Sequence, residues 1–420
     1  MNKKIIAAQF LNLGSILQNQ AFPELFKKYR EHNIILPYIE AAIISCYKLA
    51  ILLNPNFSEA HYKLGRLFQK QKKWQEAAIA FDQAIKNDCL NLADAYHRLG
   101  QTLLNAKQVE ESIIASRQAI ELEPDRDSYY LQLGRALSVK SKVSEAIKNF
   151  QIASQKQVSQ THPHVVLKSL EKQQLSAPNF LIIGQVKCGT SSLYGYLTQH
   201  PQILPAIRKE IQFWHIESTF NHGLDWYLSQ FPAISSEPNL ITGEATPLYI
   251  NSQSAAERVF QTFPNIKLIV LLRNPIDQVI SNYYMRVRGH VENISLEKAI
   301  ALALKGTPQA SNSDLSEIYD RRYLRKGRYI EVISQWMNLF PKNQFLIVKS
   351  EDFFSDPATT LNQVCQFLEV ESYQIQEYPK INQGSYPPIS HSMRQTLNDY
   401  FRPFNQQLEE YLDRKFNWNS

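Results

Sequence analysis

The sequence has 420 residues, of which 44% are hydrophobic and 20% are charged, and its net charge at pH 7 is +6. This length predicts two domains, each large enough for its own hydrophobic core. No apolar run reaches the roughly 18–20 residues that a membrane-spanning helix needs, and the first residues lack the pattern of a signal peptide. The four cysteines are scattered without the spacing of a metal site or a disulfide framework, which predicts a reducing compartment and a cytoplasmic location.

The basic excess is confined to the first part of the chain. Residues 1–176 contain 23 Lys and Arg against 16 Asp and Glu, whereas the remainder contains 22 against 23. We interpret the excess as the solvated face of helices, with an acidic partner as the alternative. We expect no nucleic-acid partner.

A repeat of 34–35 residues runs through the chain between Phe57 and Gln160. Leu-Gly pairs recur with this step, and small residues later in each unit keep the same spacing: Leu64-Gly65, Leu99-Gly100 and Leu133-Gly134, then Ala50, Ala84, Ala119 and Ala153. The pattern resembles the tetratricopeptide repeat, in which two antiparallel helices cross closely at small residues. The middle unit departs from it, because Ser112 and Ser116 stand where Ala and Phe are usual.

The repeats divide the chain into regions. We predict a helical cap at 1–36, tetratricopeptide repeats at 37–160, a linker at 161–177 and a second domain at 178–420. The resemblance implies an all-α solenoid whose concave surface binds a protein partner. The alternative is that the array only extends and supports the second domain, because the packing positions are the same in either case.

The second domain opens with a strand pattern and a loop bounded by glycines. Residues 180–183 are a short apolar run, which predicts a strand buried on both faces, and residues 184–189 lead into a helix that starts at Thr190. A strand, a glycine-bounded turn and a helix N-terminus present backbone N–H groups to an anion. The spacing follows the P-loop pattern G-x-x-x-x-G-K-[ST], but Thr190 replaces its lysine and the lysine lies inside the loop as Lys187.

The displaced lysine resembles the 5′-phosphosulfate loop of the sulfotransferases, P-K-x-G-T-[ST]-[ST], with Val186 in place of the usual proline. The resemblance implies 3′-phosphoadenylyl sulfate as the donor, used without a metal. It also implies that the donor is bound by Lys187, Cys188, Gly189, Thr190, Ser191 and Ser192. From the loop alone, a metal-dependent P-loop kinase is the alternative, although such an enzyme needs its lysine at position 190.

A candidate base follows about 20 residues after Lys187, in the segment 209–214, KEIQFW. The segment resembles the E-[IV]-[QH]-F-F element of the heparan sulfate class of sulfotransferases, which implies that Glu210 is the catalytic base. The residues that follow resemble the H-x-G-[IL]-x-W-Y segment of the same class, whose members act on polysaccharides. His215 and His222 are the rival bases.

A second anion site is predicted after the strongest strand signal, residues 266–272. Arg273 ends this strand and Ser281 lies two turns into the following helix, so a guanidinium and a hydroxyl can converge on one anion. The R-N-P-x(5)-S spacing resembles the 3′-phosphate site of the sulfotransferases. Two anion sites on neighbouring strands suit a nucleotide that is phosphorylated at both the 5′ and 3′ positions, which an ATP enzyme does not need.

Two further segments complete the resemblance, and a basic run lies between them. Residues 243–249, GEATPLY, resemble a family segment in which some relatives have Lys where Ala245 stands. A basic run at 321–328 is either a solvated face or a path for an acidic acceptor. Residues 382–388 resemble a loop, K-G-x-x-Y-P, that closes over the adenosine and 3′-phosphate; Gln383 replaces its lysine, and the matching donor contacts are Gly384, Ser385 and Tyr386.

The predicted fold is an N-terminal all-α tetratricopeptide solenoid followed by an α/β P-loop domain with a central parallel sheet. The loops after the strands 180–183 and 266–272 are expected at the carboxyl edge of that sheet. The resemblance implies sulfuryl transfer to an acceptor hydroxyl or amine, with a glycan favoured and Lys187 and Glu210 as the catalytic pair. The alternatives are a protein-tyrosine sulfotransferase and a repeat scaffold whose second domain binds nucleotide without catalysis.

Overall fold

The computed structural model describes residues 3–21, 35–165, 175–234, 239–289, 291–306, 318–379 and 386–418. These residues form two compact units, which divide between Lys156 and Gln157, inside a helix. The domain boundaries drawn from the sequence stay predictions.

The described part of the first unit is all α-helical, as predicted. Its helices are α1 Lys3–Ile16, α2 Ile35–Leu53, α3 Ser58–Lys70, α4 Trp74–Lys86, α5 Leu92–Asn105, α6 Val109–Leu122, α7 Asp127–Val139 and α8 Val143–Thr161. A short π-helix, Leu17–Ala21, follows α1. Short turns join α3 to α4, α5 to α6 and α7 to α8, which are the helix pairs that the repeat pattern predicts.

Two of the helix pairs cross where a glycine faces a buried phenylalanine ring. A β-carbon added at Gly65 would lie 3.0 Å from the ring of Phe81, and one added at Gly134 would lie 2.5 Å from that of Phe150. Both rings are fully buried. Because interiors are close-packed, the backbones approach this closely only where the residue has no side chain.

The middle pair makes the same crossing with hydroxyl groups. The Oγ of Ser112 donates to the carbonyl of Gly100 at 2.7 Å, and the Oγ of Ser116 donates to the carbonyl of Ser112 at 2.8 Å. Both serines are fully buried. The departure of this unit from the repeat pattern is therefore accommodated by buried hydrogen bonds in place of a ring.

The second unit contains a five-stranded sheet in the order β2-β3-β1-β4-β5, with every neighbouring pair parallel. Its strands are β1 Phe180–Gly184, β2 Ile203–Pro205, β3 Ile241–Glu244, β4 Lys267–Leu272 and β5 Phe345–Lys349. All five residues of β1 and the last five of β4 are buried, because both faces of these strands are covered. The predicted α/β domain with a central parallel sheet is confirmed.

Helices flank this sheet and connect its strands. They are α9 Thr190–Leu197, α10 Glu217–Phe220, α11 Leu224–Leu228, α12 Gln253–Thr262, α13 Pro275–Arg288, α14 Leu296–Leu304, α15 Tyr329–Met337, α16 Ser350–Ser355, α17 Pro357–Leu368 and α18 His391–Leu412. Single turns of 3₁₀-helix lie at Tyr249–Asn251, Arg325–Gly327 and Lys342–Gln344, and a π-helix lies at Asp320–Leu324.

The central strand β1 pairs with β3 on one side and with β4 on the other. Since all three run parallel, their carboxyl ends lie at the same edge of the sheet. The loop after β1 and the loop after β4 are therefore neighbours, which confirms the prediction for these two loops. The end of β3, at Glu244, lies at the same edge.

Candidate active site

The loop after β1 is held by the buried side chain of Gln185. Its amide nitrogen donates to the Oδ1 of Asn251 at 3.0 Å and to the carbonyl of Lys326 at 3.1 Å, while its Oε1 accepts from the N–H of Val186 at 2.8 Å. One side chain thus ties the loop to two distant segments. Gln185 was not singled out from the sequence, because a lone glutamine in a loop carries no signal of its own.

Two loop residues have left-handed backbone conformations, Lys187 with a φ of 68° and Gly189 with a φ of 97°. A β-carbon at position 189 would also lie 3.0 Å from the ring of Phe354, so only glycine fits there without strain. Helix α9 begins directly after this turn, at Thr190. The N–H groups of its first turn have no partners within the helix and are available to an anion.

The side chain of Cys188 points away from this turn into the hydrophobic core. It is fully buried, and burial raises the pKa of its thiol to about 12. Its carbonyl accepts a hydrogen bond from the Oγ of Ser350 at 2.7 Å. The predicted contact of Cys188 with the donor can therefore involve only its backbone. Thr190 and Ser192 are buried in the first turn of α9, and Ser191 is half-buried.

The structure brings Arg273 to the Lys187 loop. The Nη1 of Arg273 donates to the carbonyl of Lys187 at 3.4 Å, and Gln278 donates to the carbonyl of Val186 at 3.1 Å. Burial lowers the pKa of the Lys187 ammonium group, and the charges of Arg288 and Arg273 lower it further. Several cations therefore converge around the loop, which is the electrostatic setting of an anion site.

The end of β4 is fixed by polar contacts from two other segments. The hydroxyl of Tyr329 donates to the carbonyl of Arg273 at 2.8 Å, and the N–H of Asn274 donates to Glu351 at 2.7 Å. Asn274 also caps α13, where Pro275 takes the first position. Ser281 is buried two turns further along α13. Its contact with a phosphate stays a prediction.

Glu210 lies at the surface side of the site, with its side chain 37% exposed. It pairs with the Nζ of Lys209 at 2.6 Å and accepts from the side chain of Gln212 at 3.5 Å. The imidazole of His215 is close enough for the charge of Glu210 to raise its pKa, although burial lowers that pKa overall. His222 instead packs against the ring of Trp226, with the two ring centres 5.1 Å apart. Of the two rival bases, His215 is the one that the structure places beside Glu210.

A buried carboxylate organises the segment that carries Glu210. Glu244 is fully buried and accepts hydrogen bonds from the hydroxyls of Tyr227 and Tyr249, each at 2.9 Å, and of Thr246 at 2.5 Å. It also accepts from the N–H of Ile211 at 3.1 Å. Burial raises the pKa of Glu244, and these hydrogen bonds offset part of that effect.

The partners of Glu244 reach the next two residues of the same segment. The N–H of Gln212 donates to the Oγ1 of Thr246 at 3.4 Å, and the N–H of Phe213 donates to the hydroxyl of Tyr249 at 3.0 Å. Glu244, Thr246 and Tyr249 thus hold three successive N–H groups directly after Glu210. The resemblance of residues 243–249 to a family segment marked this stretch, but no local pattern predicts the network.

Two residues predicted to contact the donor, Gly384 and Ser385, lie outside the described residues. Tyr386 is half-buried and groups with the first compact unit. Its role toward a donor stays a prediction.

The first unit has a polar cavity of about 410 Å³. Its lining includes Asn91, Asp94, His97, Arg98, Gln101 and Tyr129. His97 is buried, and its Nδ1 has no hydrogen-bond partner among the described residues. Burial lowers the pKa of His97 to about 4, so this ring is neutral at pH 7.

Comparison with known proteins agrees with this geometry. A family profile described as "Sulfotransferase domain" matches residues 177–385, and tetratricopeptide repeat profiles match residues 58–91 and 93–126. The chain therefore carries a sulfotransferase domain over residues 177–385, and tetratricopeptide repeats precede that domain. Two alternatives drawn from the sequence do not fit this assignment. They are a metal-dependent P-loop kinase and a repeat scaffold whose second domain binds nucleotide without catalysis.

The relatives share part of their length with this chain. The membrane-associated sulfotransferase kil1 of Dictyostelium discoideum is 28% identical over 63% of this chain and 71% of its own length. The bifunctional heparan sulfate N-deacetylase/N-sulfotransferase 3 of Homo sapiens is 29% identical over 60% of this chain, and the match spans 32% of that protein. A sulfotransferase structure from Alicyclobacillus acidocaldarius matches 58% of this chain and all of its own, with 26% identity and a TM-score of 0.50.

In the described part of the chain, no helix has both the length and the apolar character to cross a membrane.

Proposed function

We propose that this enzyme transfers a sulfuryl group from 3′-phosphoadenylyl sulfate to a hydroxyl or amine of a carbohydrate. The observation that carries the proposal is the direct contact between Arg273 and the Lys187 loop, at the shared carboxyl edge of β1 and β4. It supports a donor with two separated phosphate groups, because each of two adjacent strands ends in its own set of anion-binding groups.

The donor-binding roles follow from these positions. The N–H groups at Thr190, Ser191 and Ser192 hold the 5′-phosphate, while Arg273 and Ser281 hold the 3′-phosphate. The donor supplies the S–O bond that breaks in the reaction. Lys187 neutralises the negative charge that develops on the bridging oxygen as 3′,5′-ADP leaves.

Glu210 acts on the acceptor. Its carboxylate takes the proton of the attacking hydroxyl or amine as the new bond to sulfur forms. Its carboxylate is partly exposed and pairs with Lys209, whose charge acts on Lys187, and this position suits a base that must reach an incoming acceptor. His215 is the alternative base, because it is the titratable group whose pKa the charge of Glu210 affects.

A carbohydrate acceptor is supported by the Glu210 segment and by the name of the human relative, which acts on heparan sulfate. A tyrosine-containing protein acceptor is the second candidate, because a repeat array can present a polypeptide to the enzyme. The array is proposed to bind a protein partner, and its polar cavity with the unpartnered Nδ1 of His97 supports a polar ligand there. A cytoplasmic location is also proposed, since all four cysteines are free thiols.

The test is transfer of labelled sulfate from 3′-phosphoadenylyl sulfate to a glucosamine–uronate oligosaccharide, with an acidic tyrosine peptide as the competing acceptor. We expect label on the oligosaccharide and a loss of at least about 100-fold in kcat for Lys187→Ala and for Glu210→Ala. Unchanged thermal unfolding in both variants is the control. Substantial activity in Glu210→Ala would refute its role as base and favour His215, and label on the peptide alone would favour the second candidate.

A further inference from the structure

The basic run at 321–328 separates into two kinds of residue in the structure. Arg325 and Arg328 pair with the buried carboxylate of Asp320, at 3.6 and 2.7 Å. Lys326 differs from both. Within the part of the chain that the structure describes, no hydrogen-bond or ion-pair partner contacts its ammonium group. A solvated face, which is one interpretation of the run, would leave this lysine exposed, whereas its side chain is half-buried.

The backbone around Lys326 is anchored to the candidate active site. Gln185, at the start of the Lys187 loop, donates to the carbonyl of Lys326, and Asn282 on α13 donates to the carbonyl of Arg322 at 2.7 Å. A β-carbon added at Gly327 would lie 3.0 Å from Pro275, the first residue of α13. The segment 322–327 is therefore packed along α13 and against the Lys187 loop.

The charged neighbours of Lys326 are cations. Burial lowers the pKa of Lys326 to about 8, and the charges of Arg286 and Arg322 contribute to that effect. Arg286 lies in the last turn of α13; its Nε is buried without a hydrogen-bond partner, and its Nη2 makes one long hydrogen bond of 3.4 Å to the carbonyl of Val291. We call Arg286, Arg322 and Lys326 the cationic cluster.

One buried carboxylate, Glu292, faces the cationic cluster. It pairs with Arg322 at 3.1 Å and also accepts from the hydroxyls of Tyr319 at 3.1 Å and Tyr323 at 2.6 Å. Burial alone would raise the pKa of Glu292, but the tyrosine hydrogen bonds outweigh it and leave that pKa lowered. Glu292 is thus ionised and already fully engaged. The cationic cluster and Glu292 together carry three positive charges and one negative charge. Binding of an anion would therefore reduce the repulsion between the cations.

We propose that the cationic cluster is an acceptor subsite, which binds a carboxylate or sulfate group of an acidic glycan. This inference rests on the proposed function and specifies its acceptor class. The donor is a less suitable source of the anion, because Ser281, its predicted ligand on α13, lies in the middle of the helix and not in the last turn with Arg286. Ser281 precedes Arg286 by five residues, roughly 7.5 Å of rise and 140° of rotation, so the two side chains leave α13 on different faces. A glycan that extends from the reacting sugar over several residues can span that distance.

The experiment measures two affinities separately by calorimetry. Heparin hexasaccharide, added to enzyme saturated with 3′,5′-ADP, probes the acceptor side, and 3′,5′-ADP alone probes the donor side. For Lys326→Gln and for Arg286→Gln we expect hexasaccharide binding to weaken about tenfold, with 3′,5′-ADP binding unchanged within about twofold. Lys326→Arg should retain most of the affinity, because it keeps the charge. Lys342→Gln removes an exposed lysine of the same domain and is the matched control.

The other outcomes contradict either the proposed subsite or the proposed function, and the two cases can be distinguished. If 3′,5′-ADP binding falls in parallel, the cationic cluster belongs to the donor site. If hexasaccharide binding is unchanged in both variants, or if the wild type does not bind it, the cationic cluster is not an acceptor subsite. A wild type that fails to bind 3′,5′-ADP contradicts the proposed function instead, and the hexasaccharide measurement without nucleotide then still decides the subsite. Thermal unfolding of each variant separates lost binding from lost folding.

Discussion

Each of the two units is stabilised internally by a different kind of contact. In the first unit, the same crossing recurs at a fixed step, with Gly65 against Phe81 and Gly134 against Phe150. In the second unit, the segment that carries Glu210 is held by a single buried carboxylate, Glu244, whose partners are 2 to 33 residues away in sequence. A repeated contact can fail at one crossing and leave its neighbours intact, whereas removing a central acceptor leaves several buried donors without a partner.

The largest expected effect comes from removing that central acceptor. Glu244→Ala leaves the hydroxyls of Tyr227 and Tyr249 and the N–H of Ile211 unpartnered in a buried site. We expect the free energy of unfolding to fall by about 3–5 kcal/mol, because each buried unsatisfied group costs about 1–3 kcal/mol. We also expect kcat for sulfuryl transfer to fall more than the affinity for 3′,5′-ADP, since the network positions Glu210 and not the donor loop.

Denaturant unfolding and steady-state kinetics of the full chain check this prediction. Glu257→Ala, at an exposed position on α12, is the control and should change neither quantity. A Glu244→Ala enzyme with normal stability and normal kcat would show that the network does not position the base.

Much of the fold could be predicted because its signals are local. The apolar runs at 180–183 and 266–272 became the central strands β1 and β4, and the 34–35-residue step matched the helix pairs. β2, Ile203–Pro205, was missed because three residues are too short to show a strand pattern. The segment after Lys349 forms two helices, α16 and α17, because Asp356 ends the first and caps the second.

The candidate site was predictable where one short segment carries the chemistry, as for Lys187 and Arg273. It was not predictable where the function of a residue depends on distant partners. Nothing near Glu244 shows that Tyr227 and Ile211 will converge on it. Likewise, Lys326 cannot be distinguished from its basic neighbours in the sequence, because Asp320 selects Arg325 and Arg328 only once the chain has folded.

A smaller effect is expected in the first unit, from its own buried titratable group. The pKa of His97 is lowered by burial from the ordinary 6.5 to about 4; Arg98 and Arg135 add to that effect, and Asp94 opposes it. Between these values the unfolded chain binds a proton at this residue and the folded chain does not. Stability is therefore full above about pH 6.5 and falls as the pH decreases towards 4, by about 2 kcal/mol between pH 7 and pH 5.

Urea unfolding at the two pH values, compared between wild type and His97→Gln, isolates this contribution. The variant should lose the part of the pH dependence that His97 supplies, while the remainder is shared by both proteins. Equal pH dependence in wild type and His97→Gln would mean that the fold does not lower the pKa of His97.

The smallest effects are expected from substitutions at two helix crossings of the repeat array. A β-carbon at Gly134 would meet the fully buried ring of Phe150 at 2.5 Å, but one at Gly100 would meet the Oγ of Ser116 at 2.9 Å. A ring packed on all sides cannot move without displacing its neighbours, whereas a hydroxyl can rotate about one bond. We expect Gly134→Ala to destabilise α7 and α8 by about 1–2 kcal/mol, and Gly100→Ala to destabilise α5 and α6 by less, because alanine favours the helix.

Amide hydrogen exchange of the four helices measures both effects in the intact chain. Equal losses of protection at the two crossings would show that the serine pair is packed as rigidly as the ring, and the hydroxyl contacts of the middle repeat would then be a full substitute for phenylalanine.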